Sequence, residues 1–407
     1  MDNSKRAYLH KRVKSGKIQL MATVISYIKL AAKMTGRFFT SADIFLLVMS
    51  VISSIYGIIL ISSATNALDS SGYVAQQINA LVFGILLFVL FTYIDIDIIA
   101  EKSWLLYIFS MLFIFSLFFW GQGDDEHGNN NWLRFWGFGI QPSEVVKVTF
   151  VIITAKMLVN YKEKKTLNSV VSLFQILFMF GSIFALLIWV SSDLGSALIF
   201  VFMLIIMLFV AGVKLRWFVI GGAAVAAASP LLWRFLEPYQ QERIAAVFFP
   251  EIYDPDRQDA LWQANQSVRA ITSGGFEGQG LGNGRLTQSG FIPAQHTDFI
   301  FSVAGEELGF IGALLVIALL VTVIVRCFYV GVRSNNTLGL LVCVGMAAKL
   351  MAQMIENIGM CLGLLPVVGI TLPFFSYGGS SLVTSFAAMG IVSGVKMRPK
   401  PIRFRNL

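Results

Sequence analysis

Ten mostly apolar stretches of about 20 residues each, the length that spans a bilayer, follow one another along the chain. They run at about 43–64, 76–98, 103–121, 143–160, 170–190, 194–212, 217–236, 299–325, 337–360 and 379–396. Inside lipid every backbone N–H and C=O needs an internal partner, so such stretches cross as helices. Of the 407 residues, 56% are hydrophobic and 13% charged, with a mean hydropathy of +0.73. A soluble domain has too little interior to hide that much apolar surface. The expected fold is therefore an all-α polytopic membrane protein of about ten transmembrane helices.

The net charge of +8 raises nucleic acid as a partner, and its placement argues against that. With the N-terminus in the cytoplasm, alternate loops carry Lys162, Lys164 and Lys165, then Lys214 and Arg216, then Arg326 and Arg333, and finally the tail "KMRPKPIRFRNL". That is the positive-inside pattern, and it puts both termini in the cytoplasm. Three parts follow: a basic cytoplasmic N-terminal segment, 1–42, a membrane domain, 43–397, and a basic tail, 398–407. The N-terminal segment reads as an interfacial helix on membrane lipid or as a solvated basic tail. Cys327, Cys343 and Cys361 show no metal-ligand spacing and read as small buried hydrophobes.

Polar residues collect where they are costly. The loop 237–297, between helices seven and eight and on the extracytoplasmic side, is long enough to suggest function. Its glycines between Gly274 and Gly290 follow no strand and precede no GK[ST], which argues against a nucleotide loop, though such amides can contact a pyrophosphate. In "NNNWLRFWGFGIQPSEVVKVTF", Pro142 opens a helix on which Glu144 and Lys147 stand three apart and can pair. Asp193 in "SSDLGSA" reads as a turn former and helix cap. Lys349, Gln353 and Glu356 share one stripe of the ninth span. Pro366, Pro373 and Gly378–Gly379 break the chain before the last span, where "GGSS" contributes Ser380. Irregular backbone at that depth is tolerated beside a cavity or within protein. Asp298 sits where a long loop enters the eighth span, as a helix cap or as a group that does chemistry. The residues alone fit a transporter as well as an enzyme with a lipid-linked substrate.

The wording of these stretches narrows the choice. "WLRFWGFGIQPSEVVKV", "SSDLGSALIF", "YQQERI", "SVRAITSGGFEGQGLGNG", "FIPAQHTDFIFSVAGEELGFIGALL" and "NIGMCLGLLPVVGITLPFFSYGGSSLV" occur in this order. Together they resemble the SEDS family, the RodA/FtsW peptidoglycan glycosyltransferases, over residues 44–397. The resemblance implies a multi-pass protein of the bacterial cytoplasmic membrane. Its implied substrate is lipid II, joined with inversion at the sugar C1 and release of the undecaprenyl pyrophosphate carrier. The implied partner is a class B penicillin-binding protein. It maps the family's catalytic aspartate onto Asp298, its acid and base of the fourth span onto Glu144 and Lys147, and a family arginine onto Arg243.

A carboxylate can take the proton of an attacking hydroxyl, and pyrophosphate leaves without acid assistance. Its departing charge needs Arg, Lys or a divalent ion, so a divalent cation is a possible cofactor. Lys349, Glu356 and Ser380 are expected to line the cavity. Glu306 and Glu307 are expected to be structural, paired with a neighbouring cation. "GLGNGRL" leans towards the division branch and "LPVVGITLPFFSYGGSS" suits the elongation branch equally. A flippase for lipid-linked sugar and a scaffold for a partner are the rival readings.

Overall fold

The structure, a computed structural model, describes residues 36, 38–66, 72–123, 131–135, 138–256, 260–334 and 336–398. Most of the basic N-terminal segment, and the tail beyond Arg398, lie outside the described residues. The chain divides into residues 1–44 and 45–407. Within the first unit a hydrogen bond from the Ala42 amide to the Phe38 carbonyl (2.9 Å) closes a helical turn.

Helices fall on all ten apolar stretches. In chain order they begin with α1 (Ile44–Thr65), α2 (Gly72–Tyr93), α3 (Ile96–Glu101), α4 (Ser103–Phe115) and α5 (Leu117–Trp120). A hairpin of β1 (Leu133–Phe135) and β2 (Phe138–Ile140), antiparallel with Leu133 opposite Ile140, follows. This small sheet, with an isolated antiparallel bridge between Gln122 and Trp132 beside it in sequence, departs from an all-α fold. Then come α6 (Pro142–Glu163), α7 (Val170–Ser191), α8 (Leu194–Ala211) and α9 (Leu215–Trp233). The long loop is itself built of helices: α10 (Pro238–Phe248), α11 (Pro250–Tyr253), α12 (Trp262–Gly274) and α13 (Arg285–Gln288). The chain ends with α14 (Ile300–Arg333), α15 (Thr337–Cys361) and α16 (Gly379–Met397).

Eight described helices are long and apolar enough to cross a membrane. The two remaining stretches differ for visible reasons. α6 is 22 residues long but carries Glu144, Lys147 and Lys156 among its residues. α9 is apolar over the shorter run Leu215–Leu231.

Burial sorts the helices into inner and outer. α15 and α16 each bury 78% of their apolar window, against 17% for the α4–α5 stretch and 28% for α2. The inner pair can therefore carry polar side chains away from lipid. α16 lies so close along α2 that a Cβ at Gly390 would sit 2.5 Å from the Phe88 carbonyl oxygen. The Thr92 hydroxyl donates to Phe88 at 2.8 Å and to Gly390 at 3.3 Å. Small residues permit this approach, and van der Waals contact between backbones supplies the attraction that water would otherwise drive.

Two devices shape the end of the bundle that holds Asp298. α14 is broken at Gly309 (φ 65°, ψ −161°). Into the break docks the glycine-rich loop: Gln279 and Gly280 donate their amides to the carbonyls of Glu306 (3.0 Å) and Glu307 (2.9 Å), and Phe310 donates to Gly275 (2.9 Å). A Cβ at Gly274 would overlap the Gly305 carbonyl oxygen. These glycines serve backbone approach, and the Gln279 and Gly280 amides are spent on α14 rather than held out to a phosphate.

Candidate active site

Three helices begin together at this end. The Gln141 amide, at the N-cap of α6, donates to the Ser380 hydroxyl in the first turn of α16 (3.1 Å). The Gln141 side chain donates to Asp193 (3.3 Å), and Asp193 caps α8 by accepting the Ser196 amide (2.8 Å). Ser196 in turn donates to Ser143 (3.3 Å). Each helix start presents the positive end of its dipole.

One and a half turns down α6 from Gln141, burial is complete. Glu144 receives Lys147 Nζ at 2.6 Å and Lys349 Nζ, from α15, at 3.0 Å. Gln353, one turn further along α15, donates to Glu144 Oε1 at 3.1 Å. The expected Glu144–Lys147 pair is therefore a triad of two lysines and one glutamate, with a net charge of +1. Glu356 lies on the same stripe of α15, partly exposed, and feels the charges of Lys147 and Asp193.

Asp298 precedes α14 by two residues. The helix takes Phe299 as its N-cap with no side-chain cap, so Asp298 is not spent on capping. Its side chain is partly open to solvent yet walled by protein. A Cβ at Gly369, whose φ is +72°, would lie 3.5 Å from Asp298 Oδ2. Desolvation by this surrounding protein pushes the Asp298 carboxyl up to about 6, with a hydrogen bond from Thr297 opposing the rise. A base so raised is ionised at neutral pH and still holds a proton well.

Asn357 joins the two regions. It donates to the Asp298 carbonyl and to the Ile370 carbonyl, both at 2.7 Å. Eight residues separate it from Lys349, about 12 Å along a helix, so the triad lies deeper in the bundle than Asp298. Arg243, on α10, reaches neither group in the described contacts. Its Nη1 donates to the Val367 carbonyl (3.1 Å), and its guanidinium lies over the Tyr239 ring at 5.7 Å. It thus braces the irregular segment before α16.

One expectation needs correction. Glu306 and Glu307 are fully buried, and their partners are neutral donors rather than a cation. Glu306 accepts the amides of Leu286 (2.8 Å) and Thr287 (2.9 Å) and the Thr287 hydroxyl (2.7 Å). Glu307 accepts Ser63 (2.5 Å) and Gln288 (2.9 Å). Among the described residues no group of three or more His, Cys, Asp or Glu side chains is placed to hold a metal ion. The described cations that ion-pair with a carboxylate of the site are Lys147 and Lys349, both on Glu144. All three cysteines are buried.

His296 packs its ring against Tyr73 (4.8 Å between centroids) and Tyr377 (5.6 Å), and burial lowers its basicity. Sequence reasoning passed over Asn357, Ser376, Gly369 and Gln141. A lone Asn in an apolar helix was the available signal, since its cost in lipid demands a partner.

Comparison with known proteins agrees with this layout. A family model described as "Cell cycle protein", covering FtsW, RodA and SpoVE, matches residues 40–400. The chain is 31% identical over 362 residues to a probable peptidoglycan glycosyltransferase FtsW of Geobacter sp. (strain M18), spanning 88% of this chain and 97% of that one. It is 31% identical over 347 residues to the peptidoglycan glycosyltransferase MrdB of Escherichia coli (strain K12), spanning 85% and 91%. A chain solved in work on the structural coordination of polymerization and crosslinking by a peptidoglycan synthase complex superposes with a TM-score of 0.74 at 28% identity, over 87% of this chain and 97% of that chain. The crystal structure of the Thermus thermophilus rod shape determining protein RodA shares the fold, with a TM-score of 0.63 at 23% identity over 87% and 96%.

Proposed function

The chain belongs to the FtsW/RodA/SpoVE family of cell cycle proteins, and we propose that it is a peptidoglycan glycosyltransferase of the bacterial cytoplasmic membrane that polymerises lipid II. The observation that carries this reading is Asp298: a carboxylate free of capping duty, partly open to solvent beside Gly369, with a raised proton affinity.

In the proposed reaction an acceptor sugar hydroxyl gives its proton to Asp298 as its oxygen attacks C1 of the donor sugar. The C1–O bond to the undecaprenyl pyrophosphate breaks, the new glycosidic bond forms with inversion, and the pyrophosphate leaves with the electron pair. One carboxylate suffices, because this leaving group needs no acid, unlike the two-acid arrangement of hydrolytic glycosidases. The excess positive charge of Lys147 and Lys349 over Glu144, together with three helix N-termini, favours the departing anion electrostatically. The sharing of family members between division and elongation leaves either role open to this chain.

A class B penicillin-binding protein is the proposed partner, in line with a fold relative solved within a synthase complex that joins polymerization to crosslinking. The lipid-facing side of α14 offers exposed Ile311, Leu314 and Leu315 for its single membrane helix. Purified protein given labelled lipid II decides between readings. Glycan chains support the polymerase, whereas leaflet exchange without chains identifies a flippase, which a buried charged stripe on α15 would also suit.

A further inference from the structure

Resting on the general-base reading of Asp298, we infer that Asn357 and Ser376 are positioning residues that clamp the backbone carrying this carboxylate. The carbonyls of His296, Thr297 and Asp298 precede α14, so no amide of that helix accepts the task of pairing them. All three are captured from elsewhere. The Tyr377 amide donates to the His296 carbonyl (2.8 Å), the Ser376 hydroxyl to the Thr297 carbonyl (2.5 Å), and the Asn357 side chain to the Asp298 carbonyl (2.7 Å).

Neither side chain has a donor hydrogen to spare. Asn357 is fully buried, and its second amide hydrogen goes to the Ile370 carbonyl at 2.7 Å. Ser376 Oγ also accepts the Leu372 amide at 2.8 Å. Gln77 on α2 holds the far side of the same segment, donating to the Ser376 carbonyl (3.0 Å) and accepting the Gly378 amide (3.2 Å). The clamp therefore ties residues 296–298 to α15, to the 370–378 segment and, through it, to α2. Gly369, just before that segment, walls the Asp298 carboxylate itself. Aim is set by elements other than the helix Asp298 introduces.

A misplacement of about 1 Å in a reacting group costs on the order of 10²-fold in rate. Loosening the clamp also admits water to the carboxylate. Of the ionisable groups nearby, Cys361 on α15 feels the Asp298 charge, and His296 on its own segment packs against Tyr73 on α2 and Tyr377 on the irregular segment. Among the described residues none forms an ion pair with Asp298. Its raised proton affinity thus comes from the protein packed around it, whose placement the clamp fixes.

The test uses the full-length protein with lipid II, measuring chain-synthesis rate between about pH 5 and 8 for wild type, Asn357→Ala, Ser376→Ala and Ser376→Thr, with thermal stability alongside. Each alanine variant is expected to lower kcat by about 10–100-fold with KM little changed. Each should also move the acidic limb of the rate profile to lower pH, as Asp298 becomes better solvated. Ser376→Thr keeps the hydroxyl and should restore most of the rate and the limb. Near-normal kcat in both alanine variants overturns the inference. So does a loss of rate that leaves the acidic limb in place, or one that tracks lost stability and that threonine does not rescue. Asp298→Asn separates the two levels: retained synthesis in that variant defeats the general-base reading itself. Abolished synthesis there, beside unimpaired Asn357→Ala, defeats the clamp alone.

Discussion

Desolvation raises the Asp298 carboxyl from 3.8 to about 6, and a rate that needs the carboxylate must rise with pH through that value. Chain synthesis is therefore expected to show an acidic limb near pH 6. Stability has the opposite sign: between about 4 and 6 the folded protein holds this proton more tightly than the unfolded chain. The group's contribution is present below about 4 and lost as pH rises through about 6. Asp298→Asn should cut polymerisation by about 10²–10⁴-fold with little change in thermal stability, since no helix cap is lost. A folded Asn variant with normal synthesis would refute the assignment. The triad makes a sharper prediction than a pair would. Glu144→Gln leaves Lys147 and Lys349 facing each other without compensation, at a cost of about 3–5 kcal/mol. Lys147→Met leaves the neutral pair Glu144–Lys349, still 3.0 Å apart, and should cost less. Equal thermal destabilisation by the two variants would contradict the triad. The spacing of Glu144 and Lys147 was legible because both lie on one helix. The arrival of Lys349 from α15 was not, because a stripe of polar residues does not say which helix it faces.

At the scale of elements, the glycine-rich loop and the broken helix explain each other. Gly309 has φ +65°, and a Cβ there would overlap the Gly278 amide nitrogen. Gly278 itself has φ +84° and sits on the Glu307 carbonyl. Gly309→Ala should therefore incur both backbone strain, about 1–3 kcal/mol in a region only glycine readily adopts, and a collision with the loop. The expected result is a lowered melting temperature together with faster hydrogen exchange at Gln279 and Gly280, whose amides pair with Glu306 and Glu307. Unchanged exchange at those amides would show that the loop does not depend on the break. The helices were legible in the sequence because apolar runs of span length have few other fates. The break was not, since "GEELGFIGALL" is continuous in hydropathy and a single glycine rarely reveals its φ. The partners of Glu306 and Glu307 were hidden for a related reason. Leu286 and Thr287 donate backbone amides, and backbone carries no side-chain signature.

For the whole molecule the deciding fact is where positive charge ends up relative to Asp298. α6 runs from Gln141, beside Ser380, to Glu163. α14 runs from Ile300, two residues after Asp298, to Arg333, and α16 from Gly379 to Met397, just before Arg398. All three start at the end that holds Asp298 and finish at the other. Lys162 and Lys164 follow from the direction of α6, and Arg333 and Arg398 from those of α14 and α16. At that far end Arg398 pairs with Asp95 (3.3 Å) and Asp97 (3.5 Å), and Asn336 donates to Asp97 (3.1 Å). Lys214 donates its amide to Asn168 (2.8 Å) in the same way, closing the loops after α6 and α8 together. The basic residues thus gather opposite Asp298, and the bias of Lys and Arg towards the cytoplasm predicts that Asp298 lies on the outer side of the membrane. Cysteine labelling can check this directly, because the three native cysteines are buried and give little background. Lys164 and Ser289 are both exposed, one at each end of the bundle. In intact cells an impermeant thiol reagent should modify Ser289→Cys and leave Lys164→Cys untouched until the membrane is opened. Modification of Lys164→Cys from outside, with Ser289→Cys protected, would invert the topology and place Asp298 on the wrong side of the membrane for wall synthesis.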